Sequence, residues 1–147
     1  MIESVRRQTY ADFELLLIDD GSSDETPRII DGYVALDQRI VRVGDSSKLG
    51  KVGAFNLGFE KSAGELVVFL GGDDILPDDS LQQRVAAFSG KIDPGEKTVG
   101  FFRLRTFSAQ KKFDNMVLPK VGRGNRSGGT LMMSRALSDP DPRVLAF

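Results

Sequence analysis

The chain has 147 residues, enough for one domain with its own core, because a domain of that size buries roughly 68–70% of the surface its unfolded chain exposes. Hydrophobic residues make up 40% and charged residues 28%, an ordinary globular balance, and no apolar run approaches the roughly 20 residues that a membrane-spanning helix needs. There is no cysteine and no histidine, so disulfides, thiolate metal sites and imidazole bases are excluded. Any general base is then Asp, Glu, Lys or Tyr. Any metal site is built from oxygen ligands, which favours Mg²⁺ or Mn²⁺ over zinc. The opening segment MIESVRRQTY has no apolar core of a secretion signal.

The net charge of −1 conceals an asymmetry. Residues 1–90 carry 16 acidic and 9 basic side chains, whereas residues 91–126 carry 3 acidic and 9 basic. The basic stretch reads either as a solvated face or as a surface for an anionic partner such as a nucleotide diphosphate or a phospholipid. It is poor in interleaved aromatics, and nucleic acid is not expected as a partner.

In chain order, residues 3–9 have the pattern of a helix end. Residues 13–18 (FELLLI) form a short apolar run closed by Asp19, Asp20 and Gly21, which predicts a buried strand. Asp24 or Thr26 is placed to cap the next helix, with Pro27 in its first turn and Ile29, Ile30, Tyr33 and Val34 on one face. Ile40, Val41 and Val43 predict a short strand with Arg39 and Arg42 toward solvent. Gly50 and Lys51 open another helix, with Val52, Phe55 and Phe59 spaced i, i+3, i+7 and Gly64 as its stop. Residues 66–70 predict a third strand leading into GGDD, and Leu81, Val85 and Phe88 mark a helix after Pro77. Further strands are expected at residues 99–107 and 129–133, joined by the basic, Gly-rich link KVGRGNRSGG.

Strand and helix thus alternate through residue 90, the signature of a mostly parallel sheet with helices on both faces. Ligands in such sheets bind at the carboxyl ends of the strands. Two acidic pairs fall there, Asp19-Asp20 and Asp73-Asp74. One such pair is ordinary turn chemistry; two at one sheet edge point to a site.

Three ordered segments carry a family resemblance. SVRRQTYADFELLLIDDGSSDETPRIIDGY resembles the early part of family 2 glycosyltransferases, where S-V-x-x-Q-T-Y-x-D-F-E-L-x-x-x-D-D-G-S-x-D recurs. KLGKVGAFNLGFEKSAGE is similar to the family's N-x-G-x-x-x-A-x-N-x-G and A-x-G-E elements, with Lys48 where Asn is usual. The strand leading to GGDD resembles the one leading to the family's D-x-D-D. The likeness is strong to about residue 88 and rests afterwards on GGTLMMSR. It implies a GT-A fold, a Rossmann-like three-layer α/β/α domain. It also implies transfer of a sugar from a nucleotide-diphosphate sugar to an acceptor hydroxyl, with inversion. Within a single domain, residues 1–90 would be the nucleotide-sugar-binding half and residues 91–147 the start of the acceptor-side half. Asp20 would hydrogen-bond the base, Asp19 would hold the loop, and Lys51 would approach the donor phosphates. Asp73, with Asp74 beside it, would bind the Mn²⁺ or Mg²⁺ that bridges them.

The chain departs from the family pattern in three places. Gly71 stands where the first acid of D-x-D-D belongs. By resemblance the chain begins inside the family's first helix, without the first strand and its base-binding loop. It also stops soon after GGTLMMSR, before the acidic motif that supplies the catalytic base. Asp139 and Asp141 do not resemble that motif, so no catalytic residue is assigned. The expectation is a truncated glycosyltransferase whose exposed strand edge is covered by another chain, as in a homo-oligomer, or by a rearranged helix, or is left bare in a poorly stable fragment. The expected acceptor is a glycan or lipid-linked molecule, in cell-surface polysaccharide synthesis in the cytoplasm or at the inner face of the membrane. A non-catalytic nucleotide-sugar-binding fragment is the alternative. A receiver-like signalling domain would account for LLLIDDG but not for KLGKVGAFNLG or SAGE.

Overall fold

The structure is a computed structural model that describes residues 1–89, 99–105, 117–118 and 129–134. The described elements run α1 (Ile2–Arg6), β1 (Leu15–Ile18), α2 (Thr26–Leu36), β2 (Ile40–Val43), α3 (Gly50–Lys61), β3 (Leu66–Val68), α4 (Ser80–Phe88), β4 (Val99–Arg105), β5 (Val117–Leu118) and β6 (Gly129–Ser134).

The two-residue period of the strands sorts the helices into layers. Leu15 and Leu17 of β1 pack on the side of α1 and α2, in a cluster with Ile2, Ile30, Tyr33 and Val34. Ile18, of opposite parity, meets α3 so closely that a Cβ on Gly58 would lie 2.8 Å from its Cδ1. In β3, Val68 joins Val5 of α1 and Leu81 of α4, with Leu70 beyond the strand in the same cluster. Phe69 turns to the other face and meets Phe55 of α3, ring centroids 4.8 Å apart. Helices α1, α2 and α4 therefore cover one face and α3 the other, the expected three-layer arrangement.

The expected mostly parallel sheet takes a particular form. β1 and β2 pair in parallel, from Leu15 opposite Ile40 to Ile18 opposite Val43. β3 begins at the same end as β1, because the Glu14 carboxylate just before β1 accepts the Ala63 and Gly64 N–H groups at 2.5 and 3.1 Å. Yet β3 is bonded to β6, not to β1, in a four-stranded antiparallel sheet of order β3-β6-β4-β5. A cavity of about 820 Å³ lies between β1 and β3. Among the described residues the hydrophobic core forms two clusters, one around Val5, Leu76 and Leu81 and one around Leu17, Ile30 and Ile40.

Several local expectations are corrected. Ile29 is 49% exposed, so α2 turns Ile30 rather than both isoleucines inward; Val41 and Val52 also face solvent. Arg39 and Arg42 are only partly exposed: Arg39 forks onto Asp37 and lies over the Phe13 ring, and Arg42 pairs with Asp31 at 2.7 Å. α3 stops at Lys61 with Ser62 in extended conformation, so Gly64 is not its terminator. Gly64 instead offers its N–H to Glu14. The N-cap of α2 is Glu25, without a side-chain cap bond, so neither Asp24 nor Thr26 is the cap; Asp24, one residue earlier, accepts the Thr26 N–H at 2.9 Å. β3 is shorter than residues 66–70, and the two-residue β5 was not expected. The link KVGRGNRSGG and the residues Asp139 and Asp141 lie outside the described residues.

Candidate functional site

Because β1 and β3 start at one end, their exits share the other, and the two acidic pairs lie at the same end of the fold. Their environments differ. Asp19 is 5% exposed, and its Oδ1 accepts the Ser22 N–H at 3.1 Å. Hydrogen bonding from the Ser22 side chain holds the Asp19 carboxyl below the usual carboxylate range against the opposing effect of burial; Ser46, the Ser22 N–H and Arg42 add to the lowering. Asp19 thus bonds within the loop after β1.

Asp20 is bound to a distant part of the chain. Its Oδ1 accepts the N–H groups of Leu49 and Gly50, at 2.6 and 2.8 Å, 30 residues further on. A helix N-terminus leaves its first N–H groups without intrahelical partners and carries partial positive charge. A carboxylate answers both needs, so Asp20 closes the start of α3 and fixes the loop of residues 44–49. That occupies N–H groups which an anionic ligand would otherwise use. Lys51, in the first turn of α3, is exposed and holds its Nζ 5.7 Å from the Phe55 ring centroid. Ser46 in this loop has φ 62°, a left-handed conformation uncommon for a residue with a Cβ. A smaller cavity of about 270 Å³ lies against the loop, lined by Asp19, Ser46, Asn56 and Glu60 among others.

At the β3 exit, residues 71–74 form a turn. The Asp74 N–H donates to the Gly71 carbonyl at 3.1 Å, and the Gly71 N–H donates to Asp74 Oδ2 at 2.8 Å. Asp74 is therefore engaged in holding the turn. Asp73 is exposed. A Cβ on Gly71 would come within 2.8 Å of Asp73 Oδ1, so the Asp73 carboxylate rests in space that a side chain at position 71 would claim. No hydrogen bond or ion pair among the described residues links this turn to Asp19 or Asp20; the large cavity between β1 and β3 separates them.

Two residues not singled out by the sequence reading tie the turn to the scaffold. Ser4 Oγ donates to the Met1 carbonyl at 2.7 Å and accepts the Leu76 N–H at 3.1 Å. Gln8, 6% exposed, donates through Nε2 to the Ser4 and Pro77 carbonyls and accepts the Leu81 N–H on Oε1 at 2.8 Å. The Thr9 N–H adds a bond to the Asp78 carbonyl at 2.8 Å. The only signal in the sequence was that Ser4 and Gln8 belong to the S-V-x-x-Q-T pattern. Arg84 of α4 is also buried beneath the turn; its Nε donates to Ser80 Oγ at 3.0 Å. Burial pushes its pKa down, and the negative charge of Asp74 opposes that.

Among the described residues no three acidic side chains converge to hold a metal ion. The donor set fits a hard divalent cation in one mode, through the exposed Asp73 carboxylate. Mg²⁺ and its analogues are often held that way, by one or two carboxylates with substrate phosphates and waters completing the shell.

In a layered α/β domain of this kind, ligands bind at the carboxyl ends of the strands, where the acids lie. The model of Glycosyl transferase family 2 matches residues 1–138, and the chain belongs to that family, with its GT-A fold. It is 37% identical over 106 residues to a "PGL/p-HBAD biosynthesis glycosyltransferase" of Mycobacterium bovis, a match covering 71% of this chain and 41% of the relative. It is 36% identical over 84 residues to an uncharacterized glycosyltransferase of Haemophilus influenzae, covering 57% of this chain and 34% of that one. The "Glycosyltransferase GlyG" of Streptococcus pneumoniae is 31% identical over 81 residues, covering 55% and 27%. The chain thus spans about two fifths or less of these curated relatives.

Proposed function

We propose that this chain is the donor-binding part of a glycosyltransferase that moves a sugar from a nucleotide-diphosphate sugar to an acceptor hydroxyl with inversion. The observation that carries this reading is the family match over residues 1–138, with Asp19-Asp20 and Asp73-Asp74 at one end of the fold. In the reaction the acceptor oxygen bonds to the anomeric carbon from one side as the bond to the diphosphate oxygen breaks on the other. The hydroxyl proton passes to a carboxylate base, a role that none of the residues named above is assigned.

Asp73 would hold Mn²⁺ or Mg²⁺ against the donor's two phosphates. When bound, that cation offsets the charge gathering on the leaving diphosphate. Lys51, on the first turn of α3, adds positive charge on the same side. Asp20 keeps α3 and the loop of residues 44–49 in place, and its base contact, implied by resemblance, uses a carboxylate already oriented by Leu49 and Gly50. The acceptor is a glycan or lipid-linked molecule of the cell surface, met in the cytoplasm or at the inner face of the membrane. No helix among the described residues is long and apolar enough to cross a membrane.

A second reading, nucleotide-sugar binding without turnover, is favoured by Gly71, which removes the first acid of D-x-D-D. Thermal unfolding with UDP, GDP and dTDP, each with and without Mn²⁺, tests the common ground of both. A ligand that binds only the folded state raises apparent stability. The expected result is a Mn²⁺-dependent rise with one nucleotide; cooperative unfolding with no rise for any of them would contradict donor binding. Hydrolysis of the matching sugar nucleotide then separates the two readings.

A further inference from the structure

We infer that Gly71 is a positioning residue: the side chain it lacks leaves the seat from which the Asp73 carboxylate holds a divalent cation. This role depends on Asp73 being the cation ligand of the proposed function. A glycine is required where φ is positive, as at Gly21 (φ 84°), or where a packed neighbour leaves no room, as at Gly58 against Ile18. Gly71 meets neither condition. Its φ is outside the left-handed range, and the three heavy atoms nearest to a Cβ there are all carboxylate atoms: Asp73 Oδ1 at 2.8 Å, Asp74 Oδ2 at 3.4 Å and Asp74 Cγ at 3.8 Å. At Gly72, one residue on, a Cβ would meet nothing within 4 Å. Position 71 is thus kept open for a side chain, and that side chain is Asp73.

The two acids reach this point differently. Asp74 Oδ2 accepts the Gly71 N–H at 2.8 Å, a bond that a methyl group at position 71 would leave in place. The Asp73 carboxylate has no hydrogen bond or ion pair among the described residues. The open space at Gly71 is what admits its present rotamer among the staggered wells. Where a protein supplies one or two carboxylates and substrate phosphates and waters supply the rest, the direction of each carboxylate decides whether the shell closes. In its seat the Asp73 carboxylate also lies beside that of Asp74. Like charges so placed disfavour each other, and a divalent cation relieves this. A methyl group at position 71 would force Asp73 out of the seat, because 2.8 Å is shorter than a carbon–oxygen contact allows. The backbone would not need to move, since the displaced atom is the end of a flexible side chain.

The test is a double-mutant cycle on the full chain, with Gly71→Ala, Asp73→Ala and the two combined. Each protein is unfolded thermally without ligand, then titrated by calorimetry with UDP, GDP and dTDP in turn, with and without Mn²⁺. Gly71→Ala should keep or slightly raise the ligand-free melting temperature, as Gly→Ala does at a backbone conformation open to alanine. It should weaken the Mn²⁺-dependent affinity by about tenfold or more, the usual effect of disturbing what orients a metal ligand, and leave the affinity without Mn²⁺ unchanged. In the Asp73→Ala background it should have no further effect. A fall in ligand-free stability would place the need for glycine in the backbone and overturn the inference. So would a loss that adds to that of Asp73→Ala, which would mean a methyl group blocking the ligand directly. Mn²⁺ dependence lost in Asp73→Ala but kept in Gly71→Ala would also overturn it, and would leave the proposed function standing. No Mn²⁺ dependence in the parent chain with any of the three nucleotides would remove both.

Discussion

The exits of β1 and β3 carry the same dipeptide, Asp-Asp, and are used in opposite ways. After β1 both acids are held by backbone N–H groups: Asp19 is buried with its Oδ1 on Ser22, though its Oδ2 has no hydrogen-bond partner among the described residues, and Asp20 binds the start of α3 at Leu49 and Gly50. After β3 only Asp74 is bound into its turn, and Asp73 is presented to solvent. A carboxylate whose hydrogen bonds are consumed by backbone N–H groups shapes a loop. One left exposed beside two glycines is available to a ligand. The pair after β1 thus shapes its loop, and the proposed function gives Asp73 the contact with a metal-bound diphosphate.

The comparison is most directly broken by substitution at Asp73. Asp73→Ala should leave the melting temperature unchanged and bring nucleotide affinity with Mn²⁺ down to the affinity without it. Titration calorimetry of both proteins checks this, and an intact Mn²⁺ effect in the variant would refute the assignment. Gln8→Ala should act through structure. It removes two bonds to residues 77–81 and one to the Ser4 carbonyl, leaving buried groups unpaired at a cost of about 2–3 kcal/mol, readable by urea unfolding. A loss near zero would mean that α1 does not support the β3 exit.

Asp20→Ala should cost less, about 1 kcal/mol, the usual value of a helix cap. It should weaken binding of the free nucleoside as well as the nucleotide. An effect confined to phosphorylated ligands would contradict a base contact and leave Asp20 a cap alone. The smallest effect expected is on acid stability. The Asp19 carboxyl is held below its ordinary range, so it contributes stability above its unfolded pKa and loses it as pH falls through the lower folded value. Melting temperatures measured from about pH 5 downward should fall more for the parent than for Asp19→Asn. Parallel curves would show that Asp19 is not a linked group.

The layers were legible in the sequence because they rest on short-range patterns. FELLLI and LVVFL are buried strands by length and composition, and acids at their ends mark the carboxyl edge. Less legible was the division of labour among those acids, since a carboxylate's partners are set by chain returning from far away. Asp20 finds residues 49 and 50; Glu14 finds residues 63 and 64. The buried side chains of Ser4 and Gln8 were hidden for the same reason: their partners at residues 76–81 lie about 70 positions on. The solvent-facing side of α2 was misread at Ile29 because an apolar residue beside Ile30 fits the period nearly as well. The sequence also showed why Gly71 matters, but not that the Asp73 carboxylate lies back against it.

The central claim is that the β3 exit receives the metal-bound nucleotide while the β1 exit frames it. Paramagnetic broadening of backbone amide signals by Mn²⁺ with the stabilising nucleotide tests it most directly. The account predicts that the Gly71, Gly72 and Asp73 amides disappear first, with those of Ser22 and Gly50 affected later. Selective loss around Asp19 and Asp20, with the residues 71–74 untouched, would contradict it.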